Sequence, residues 1–342
     1  MADAHALDCA ADPPLIRVTE RPHLGHEQHH IVFLERDALE ATVRRPAFAH
    51  KWSEHQGIAP AALVATLYDA TIAVVNKIPL RAEALGQLPK LEFVAISATG
   101  TDNVDLDYCA KNGIAVSNIR NYAVHTVPEH TFALILALRR SLFGYVRDVK
   151  DGCWQRSDRF CLAGHPINDI YGSTIGIIGE GVLGQSVATM ARAFGMRVLF
   201  ADHPPPKAPD VEFTPLDDVL READVISVHA PLTPSTRNII GVREFALMKP
   251  TALVINTARG GLVDEAALRE ALLQKRIAGA GFDVLTTEPP KNGNPLLELD
   301  LPNFILTPHT AWASQEAMQS LADQLVDNIE AFAAGLPQNR VA

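Results

Sequence analysis

Several features that define other classes of protein are scarce in this chain of 342 residues. It has four cysteines and no CxxC pair, which favours a reduced, cytoplasmic protein without a cysteine metal site. No apolar run approaches the roughly 20 residues of a membrane span, because the best candidate, 132–138, stops at Arg139. Acidic residues outnumber basic ones, 40 to 30, and the net charge of −10 argues against nucleic acid or an anionic membrane as a partner.

The remaining composition is that of a globular enzyme, with 47% hydrophobic and 20% charged residues. A chain of this length exceeds one ordinary hydrophobic core, so two domains are expected. Residues 1–30 contain Asp, Pro and several His without any periodicity. We predict that they form a flexible N-terminal extension that binds no metal.

Two series of short apolar runs alternate with helical stretches, the pattern of parallel α/β domains. The first series has strand-like runs at 31–34, 71–75, 93–96 and 114–116, with helices at 60–68 and 80–88. The second series has runs at 174–178, 197–201, 225–228, 251–255, 279–282 and 304–306, with helices at 184–194 and 264–276. Six strands with intervening helices predict a doubly wound, Rossmann-type dinucleotide-binding fold.

Two further helices indicate how the domains are connected. The stretch 127–145 is apolar almost all round, which predicts burial between lobes or between subunits. No strand follows the last helix, 314–334, so we expect it to pack on the first lobe. The expected architecture is a dinucleotide-binding domain, 121–308, inserted in a smaller, flavodoxin-like parallel α/β domain made of 31–120 and 309–342.

A glycine-rich turn follows the run 174–178. Its sequence, Gly179-Glu180-Gly181-Val182-Leu183-Gly184, is a GxGxxG motif between a predicted strand and a predicted helix. Gly179 permits the tight turn, Gly181 lets the backbone approach a pyrophosphate, and Gly184 allows the helix to pack closely on the strand. The helix N-terminus then offers free N–H groups to the phosphates.

Two acidic residues at strand ends are candidates for further contacts with a dinucleotide. Asp202 follows the run 197–201, about 20 residues after the turn, where a carboxylate binds a ribose 2′-hydroxyl and repels a 2′-phosphate. His203 and three prolines come next, without an Arg to neutralise a phosphate, so NAD is favoured over NADP. Asp283 ends the run 279–282 and could accept a hydrogen bond from the nicotinamide carboxamide. The alternatives are a surface turn for Asp202 and a cap or turn for Asp283.

Three chemically distinct residues follow the last three runs: Arg259, Glu288 and His309. Ligands of open parallel sheets bind beyond the carboxyl ends of the strands, so these side chains are expected to converge. A guanidinium fork matches a carboxylate, and a histidine donates or accepts a proton near neutral pH. Glu288 could orient the ring of the histidine. A ketone bearing a carboxylate needs this set in order to accept a hydride, although His229 and His130 are rivals to His309 by chemistry alone.

A family resemblance favours His309. The segments 179–184, 256–265, 281–288 and 307–313 together resemble the D-isomer-specific 2-hydroxyacid dehydrogenases, in the right order and spacing, and the resemblance covers nearly everything from Ile31 onward. Segments 76–79 and 309–314 look like the glycerate dehydrogenase (hydroxypyruvate reductase) branch. One departure is Glu180, which adds a negative charge inside the glycine turn.

The resemblance implies specific roles. Arg259, Glu288 and His309 would be catalytic, with His309 as the acid–base and Glu288 as its partner. The backbone N–H groups of Thr99 and Gly100 would meet the substrate carboxylate. The helix after Val127 would be a dimerisation element, giving a homodimer. The residues implied to line the NAD, beside the glycine turn, are Thr99, Val182, Leu183, Ala230, Thr257, Ala258 and Ala311.

The predicted function is therefore NAD-dependent reduction of a small 2-oxoacid, with hydroxypyruvate to D-glycerate as the first choice. The same chemistry on glyoxylate or another 2-oxoacid is the nearest alternative. A NAD-sensing, corepressor-like scaffold is a second alternative, against which the complete set Arg259, Glu288 and His309 argues. A methyltransferase using the same glycine turn would leave Arg259 and His309 without a role.

Overall fold

The structure, a computed structural model, describes residues 28–203 and 211–342. Most of the predicted N-terminal extension, 1–27, lies outside the described residues. The first strand, β1 (His29–Phe33), nevertheless begins before Ile31, so the predicted limit of the extension is wrong. The hydroxyl of Thr71 anchors this start, because it accepts the N–H of His30 at 3.0 Å and lies 3.2 Å from Nδ1 of His29.

The chain divides into two compact units. Among the described residues, unit 1 comprises those up to Arg120 together with Gln319–Ala342, and unit 2 comprises those between Asn121 and Met318. The second crossing between the units follows Met318, whereas the sequence placed it before His309. The backbone explains the difference, because the N–H groups of His309, Thr310 and Ala311 all donate to Asp283 of unit 2.

Unit 1 contains a five-stranded sheet with all strand pairs parallel, in the order β2-β1-β3-β4-β5. This is the flavodoxin-like order. The strands after β1 are β2 (His50–Glu54), β3 (Ile72–Val75), β4 (Phe93–Ile96) and β5 (Ala115–Ser117). The helices are α1 (Leu63–Leu67), α2 (Ala82–Leu85) and α3 (Leu106–Lys111), with 3-10 turns at Arg36–Ala38 and Pro60–Ala62. Every residue of β3 and β4 is buried, as expected for strands covered on both faces.

Unit 2 contains a seven-stranded parallel sheet in the order β8-β7-β6-β9-β10-β11-β12. The strands are β6 (Thr174–Ile178), β7 (Arg197–Asp202), β8 (Phe213–Pro215), β9 (Val225–Val228), β10 (Leu253–Asn256), β11 (Gly279–Phe282) and β12 (Phe304–Leu306). Numbered within the sheet, this order is 3-2-1-4-5-6-7, the doubly wound order with one additional strand. The predicted fold class is therefore confirmed. The order reverses between β6 and β9, the position where such sheets open a crevice for ligands.

The helices of unit 2 cover both faces of its sheet. They are α4 (Thr126–Arg139), α5 (Leu142–Lys150), α6 (Val182–Ala193), α7 (Leu216–Glu222), α8 (Val242–Leu247) and α9 (Glu265–Leu273). Asp264 caps α9 by accepting the N–H of Ala267. One hydrophobic cluster includes Phe132, Ile177 and Val187, and another includes Val219, Leu268 and Phe282. The last helix, α10 (Gln315–Ala333), begins in unit 2 and continues into unit 1, where Phe332 stacks on Phe93.

Two strands and one helix break differ from the sequence-based expectation. The edge strands β2 and β8 were missed because neither carries a buried apolar run, and β2 reads His-Lys-Trp-Ser-Glu. The prediction of a single helix over 127–145 is wrong, since the helix is interrupted between α4 and α5. Ser141 adopts a left-handed conformation there, with φ of 50°. Within the described residues, no helix combines the length and the apolar character needed to cross a membrane.

Candidate active site

Three neighbouring strands of unit 2 deliver the three chemically distinct side chains to one edge of the sheet. Strands β10, β11 and β12 are adjacent and parallel. Arg259 follows the end of β10, Glu288 follows β11, and His309 follows β12. Because parallel strands end on the same side, the loops that carry these residues all leave from the carboxyl edge.

Glu288 and His309 form a direct pair. Oε2 of Glu288 lies 2.5 Å from Nδ1 of His309, and Oε1 of Glu288 accepts the N–H of Leu285 at 2.7 Å. Both oxygens are therefore used, one to hold the carboxylate and the other to hold the ring. The side chains remain 32% and 25% exposed, respectively, so the pair is open to a small molecule. Since Nδ1 faces the carboxylate, Nε2 is the nitrogen left to exchange a proton with a ligand.

The backbone of His309 has an uncommon conformation. Its φ is 56°, in the left-handed region that residues with a side chain rarely adopt. Its N–H donates to the carbonyl oxygens of Asp283 and Thr307 at 2.8 and 3.0 Å. A strained residue of this kind persists only when the surrounding contacts hold it in place.

The loop that carries Arg259 is held by Asn256 and packs against the segment that carries Glu288. The Asn256 side chain donates to the carbonyl of Arg259 at 2.9 Å and accepts the N–H of Ala258 at 3.0 Å. A Cβ atom added to Gly260 would lie only 2.0 Å from the carbonyl carbon of Leu285, so glycine is required for this approach. The guanidinium of Arg259 donates to the carbonyl of Ala258 at 2.7 Å. The Arg259 and Glu288 loops are therefore in contact.

The glycine turn has the geometry that its sequence predicts. Gly179 has φ of 112°, and an added Cβ would lie 2.5 Å from the backbone of His229, just beyond the neighbouring strand β9. An added Cβ on Gly184 would lie 2.0 Å from the carbonyl oxygen of Gly179, so α6 packs directly on the turn. Gly181 immediately precedes α6, and its added Cβ would meet no atom within 4 Å. The turn therefore presents open backbone beside a helix N-terminus, which fits the pyrophosphate of a dinucleotide.

Asp202 ends β7 and is exposed, next to this turn in the sheet order. Its position fits the predicted contact with a ribose hydroxyl. The following His203 is buried, and its Nε2 lies 3.2 Å from Oε2 of Glu180, which is buried as well. The additional negative charge that the sequence places inside the turn is therefore adjacent to a histidine ring.

Asp283 has more partners than the sequence indicated. Its carboxylate is 1% exposed and accepts three donors, all from the loop that carries His309. Oδ1 accepts the N–H of Thr310 at 2.9 Å and the hydroxyl of Thr307 at 2.5 Å, and Oδ2 accepts the N–H of Ala311 at 2.8 Å. A contact with the nicotinamide carboxamide stays a prediction.

The two rival histidines have structural partners. His229 lies just beyond β9, with Nε2 2.8 Å from the hydroxyl of Ser227. Burial lowers the pKa of His229 to about 4, so its ring is neutral at neutral pH. Nε2 of His130 lies 2.9 Å from the hydroxyl of Thr307. The ring of His309, by contrast, is partly exposed and paired directly with a carboxylate, whereas Nε2 of His130, also partly exposed, lies 3.7 Å from Oδ1 of Asp283 and reaches that carboxylate through Thr307.

The other residues implied to line the dinucleotide lie on loops of unit 2, at the start of α6, or in unit 1. Ala230, Thr257 and Ala311 are buried in unit 2, Leu183 and Ala258 are partly exposed, and Val182 is exposed at the start of α6. In unit 1, the loop after β4 holds Thr99 and Gly100. The Thr99 hydroxyl donates to the carbonyl of Ile119 at 2.7 Å.

Several residues that hold the site were missed from the sequence or, in the case of His130, named only as a rival proton donor. Helix α4 contributes three of them: Thr131 contacts the Thr257 hydroxyl at 3.0 Å, Thr126 donates to the carbonyl of Ala311 at 3.1 Å, and His130 contacts Thr307. The polar group Glu129-His130-Thr131 inside an apolar helix was the available signal. Tyr122 is a fourth, because it packs on Trp312 and lies near Arg259, and burial raises its pKa to about 12.

The chain is similar to several known proteins. The family described as D-isomer specific 2-hydroxyacid dehydrogenase, NAD binding domain, matches residues 132–311. A glycerate dehydrogenase of Methylorubrum extorquens is 53% identical over 91% of this chain and 98% of its own. Among solved structures, D-lactate dehydrogenase of Aquifex aeolicus, complexed with NAD and lactic acid, has a TM-score of 0.75 and 30% identity over 89% of this chain and 96% of its own. An NADPH-dependent glyoxylate/hydroxypyruvate reductase of Sinorhizobium meliloti has a TM-score of 0.77 and 28% identity over 92% and 98%.

Proposed function

Because the chain belongs to the family of D-isomer specific 2-hydroxyacid dehydrogenases, we propose that it reduces hydroxypyruvate to D-glycerate. It is an NAD-dependent oxidoreductase acting on the CH–OH group of 2-hydroxy acids, in the glycerate dehydrogenase branch of the family. The observation that carries the proposal is the pair of Glu288 and His309, 2.5 Å apart beside the Arg259 loop. A proton donor next to an anion-binding group suits a substrate that is both a ketone and a carboxylate.

Each proposed catalytic residue has one task. Bound NADH supplies the hydride, and unit 2 would hold it at the glycine turn and Asp202. Arg259 binds the substrate carboxylate through its planar fork of donors. His309, oriented by Glu288 at Nδ1, donates the proton of Nε2 to the carbonyl oxygen. The N–H groups of Thr99 and Gly100 are proposed to contribute further hydrogen bonds to the carboxylate.

The substrate is tested by following NADH oxidation over a panel of 2-oxoacids. We expect hydroxypyruvate to give the highest kcat/KM, with lower values for glyoxylate, pyruvate and the branched and aromatic 2-oxoacids. A higher value for another member of the panel would assign the same chemistry to that substrate. Negligible turnover of every member, with NADH still bound, would favour a NAD-sensing scaffold and refute the proposed function.

We also propose that the protein is a cytoplasmic homodimer. The surface of α5 supports the dimer, because Leu142, Phe143, Val146 and Val149 are each about half exposed and recur at helical spacing. A contiguous apolar surface of this kind is typical of a subunit interface. Sedimentation velocity should show a dimer for the wild type and for Val242→Glu, an exposed control on α8, but a monomer for Val146→Glu. A wild type that sediments as a monomer would exclude the dimer.

A further inference from the structure

The carboxylate of Asp283 is enclosed by the loop that carries the proposed proton donor. Its two oxygens accept the N–H groups of Thr310 and Ala311, one each. The backbone carbonyl of Asp283 accepts the N–H of His309. One aspartate therefore takes three consecutive backbone N–H groups, beginning at the residue with φ of 56°. These contacts hold the backbone conformation of His309 from its C-terminal side.

Hydrogen bonds between side chains connect this carboxylate to α4. The hydroxyl of Thr307 has one hydrogen, and its 2.5 Å contact with Oδ1 of Asp283 uses that hydrogen, because a carboxylate can only accept. Nε2 of His130, at 2.9 Å, must then donate to the hydroxyl oxygen. The chain runs from His130 through Thr307 to Asp283, so a buried helix supports the orientation of the carboxylate.

Two carboxylates of one short segment thus hold different parts of the same histidine. Glu288 contacts the ring of His309, and Asp283 holds the backbone on which the ring is mounted. We infer that Asp283 is a positioning residue, which sets the direction of the His309 ring by fixing the backbone of the loop 307–311. This role rests on the proposed function of His309, and it is separate from the predicted contact with the nicotinamide.

The substitution Asp283→Asn tests the role with almost no change in shape. An amide has one acceptor oxygen, so in either orientation its NH2 group faces the N–H of Thr310 or of Ala311. The loop must shift to relieve this donor–donor contact, and a displacement of about 1 Å can reduce catalysis about 10²-fold. We expect kcat, measured at saturating NADH, to fall by about that factor, while the KM of hydroxypyruvate stays close to that of the wild type. The pH profile of kcat should also shift, because the contact between His309 and Glu288 is altered.

Three further variants make the test specific. Asp224→Asn makes the same chemical change at the opposite end of the sheet, where the carboxylate accepts the N–H of Thr174, and it should leave kcat unchanged. Thr307→Val removes the hydroxyl beside Asp283 and should lower kcat in part, whereas Thr307→Ser should restore it. This pair keeps the test valid if Asp283→Asn does not fold.

The possible outcomes separate the positioning role from the proposed function. A weakened Kd of NADH that accounts for the loss of activity would assign Asp283 to the cofactor and overturn the positioning role. Unchanged kcat in Asp283→Asn, or equal kcat in the two Thr307 variants, would overturn it as well. If the wild type reduces no 2-oxoacid, the proposed function fails. Hydrogen exchange then still tests whether Asp283 holds the backbone of the loop 307–311. The amides of Thr310 and Ala311 should exchange faster in Asp283→Asn than in Asp224→Asn. Equal exchange would show that Asp283 does not hold this backbone.

Discussion

The two ends of the seven-stranded sheet use carboxylates in different ways. At the amino end, Asp224 precedes β9, and its oxygens accept the N–H of Thr174 and the ammonium of Lys249, each at 2.9 Å. Burial raises the pKa of Asp224, but these two donors outweigh burial and lower it overall. At the carboxyl end, Asp283 and Glu288 instead hold a loop and the ring of a histidine.

This difference separates stability from chemistry within one sheet. A carboxylate with a lysine and a backbone N–H is satisfied, and its contacts connect strands that are already buried. A carboxylate beside a histidine can orient a group that gains and loses protons near neutral pH. Substitutions at the amino end should therefore change the free energy of unfolding, and substitutions at the carboxyl end should change turnover.

The largest effect is expected at His309. His309→Ala removes the proposed proton donor, and kcat should fall by about 10²–10⁴. Binding of NADH, measured by fluorescence titration, should be retained because the glycine turn and Asp202 are untouched. The thermal midpoint should stay close to that of the wild type, since the ring is partly exposed. Near-normal turnover in this variant would remove His309 from the mechanism.

The amino end provides the reverse case. Asp224→Asn leaves Lys249 without its charged partner and weakens the hydrogen bond from Thr174, so the free energy of unfolding should fall by about 1–3 kcal/mol. The values of kcat and KM should remain those of the wild type, because this end of the sheet lies away from the loops that carry Arg259 and His309. Urea unfolding and steady-state kinetics on the same preparation check both. A loss of turnover without a loss of stability would break the comparison.

A third substitution tests the cofactor side of the carboxyl end. Asp202→Ala removes an exposed carboxylate that would bind a ribose 2′-hydroxyl and repel a 2′-phosphate. The ratio of kcat/KM for NADH to that for NADPH should fall about fivefold, since two charges a few ångströms apart near water interact by about 1 kcal/mol. Asp158→Ala, another exposed aspartate, is the matched control. An unchanged ratio would contradict the ribose contact.

Much of this site could be predicted from the sequence because its parts follow regular structure. Arg259, Glu288 and His309 were proposed from the apolar runs before them, because parallel strands bring such residues to one edge, and the family resemblance selected His309 over His229 and His130. The glycine turn was equally clear, since Gly179 and Gly184 leave no room for a side chain. These signals are local along the chain, so they require no knowledge of the tertiary contacts.

The supporting contacts could not be predicted in the same way. The partners of Asp283 come from residues 24 to 28 positions away, and Thr131 meets Thr257 across 126 positions. No local pattern specifies such pairs, because they depend on how α4 packs against the sheet. The edge strands β2 and β8 were missed for a related reason, since their sequences carry no buried apolar run.

The smallest expected effect concerns His229. This residue lies at the carboxyl end of the sheet, but its substitution should change the free energy of unfolding and not turnover. Its pKa is about 4 in the folded protein and about 6.5 in the unfolded chain. The unfolded state therefore binds more protons between these values. The stability linked to this ring is fully present above pH 6.5 and is lost as the pH falls toward 4.

His229→Gln removes this proton uptake. The free energy of unfolding of the variant should decrease less steeply below pH 6.5 than that of the wild type, by at most about 1.4 kcal/mol per pH unit for one proton. Urea unfolding at several pH values between 5 and 7.5 gives the two slopes. Turnover at neutral pH should change little, because the ring is neutral and buried. Parallel slopes, even with a lower stability of the variant at every pH, would show that His229 titrates normally and that its burial does not set the acid sensitivity of unit 2.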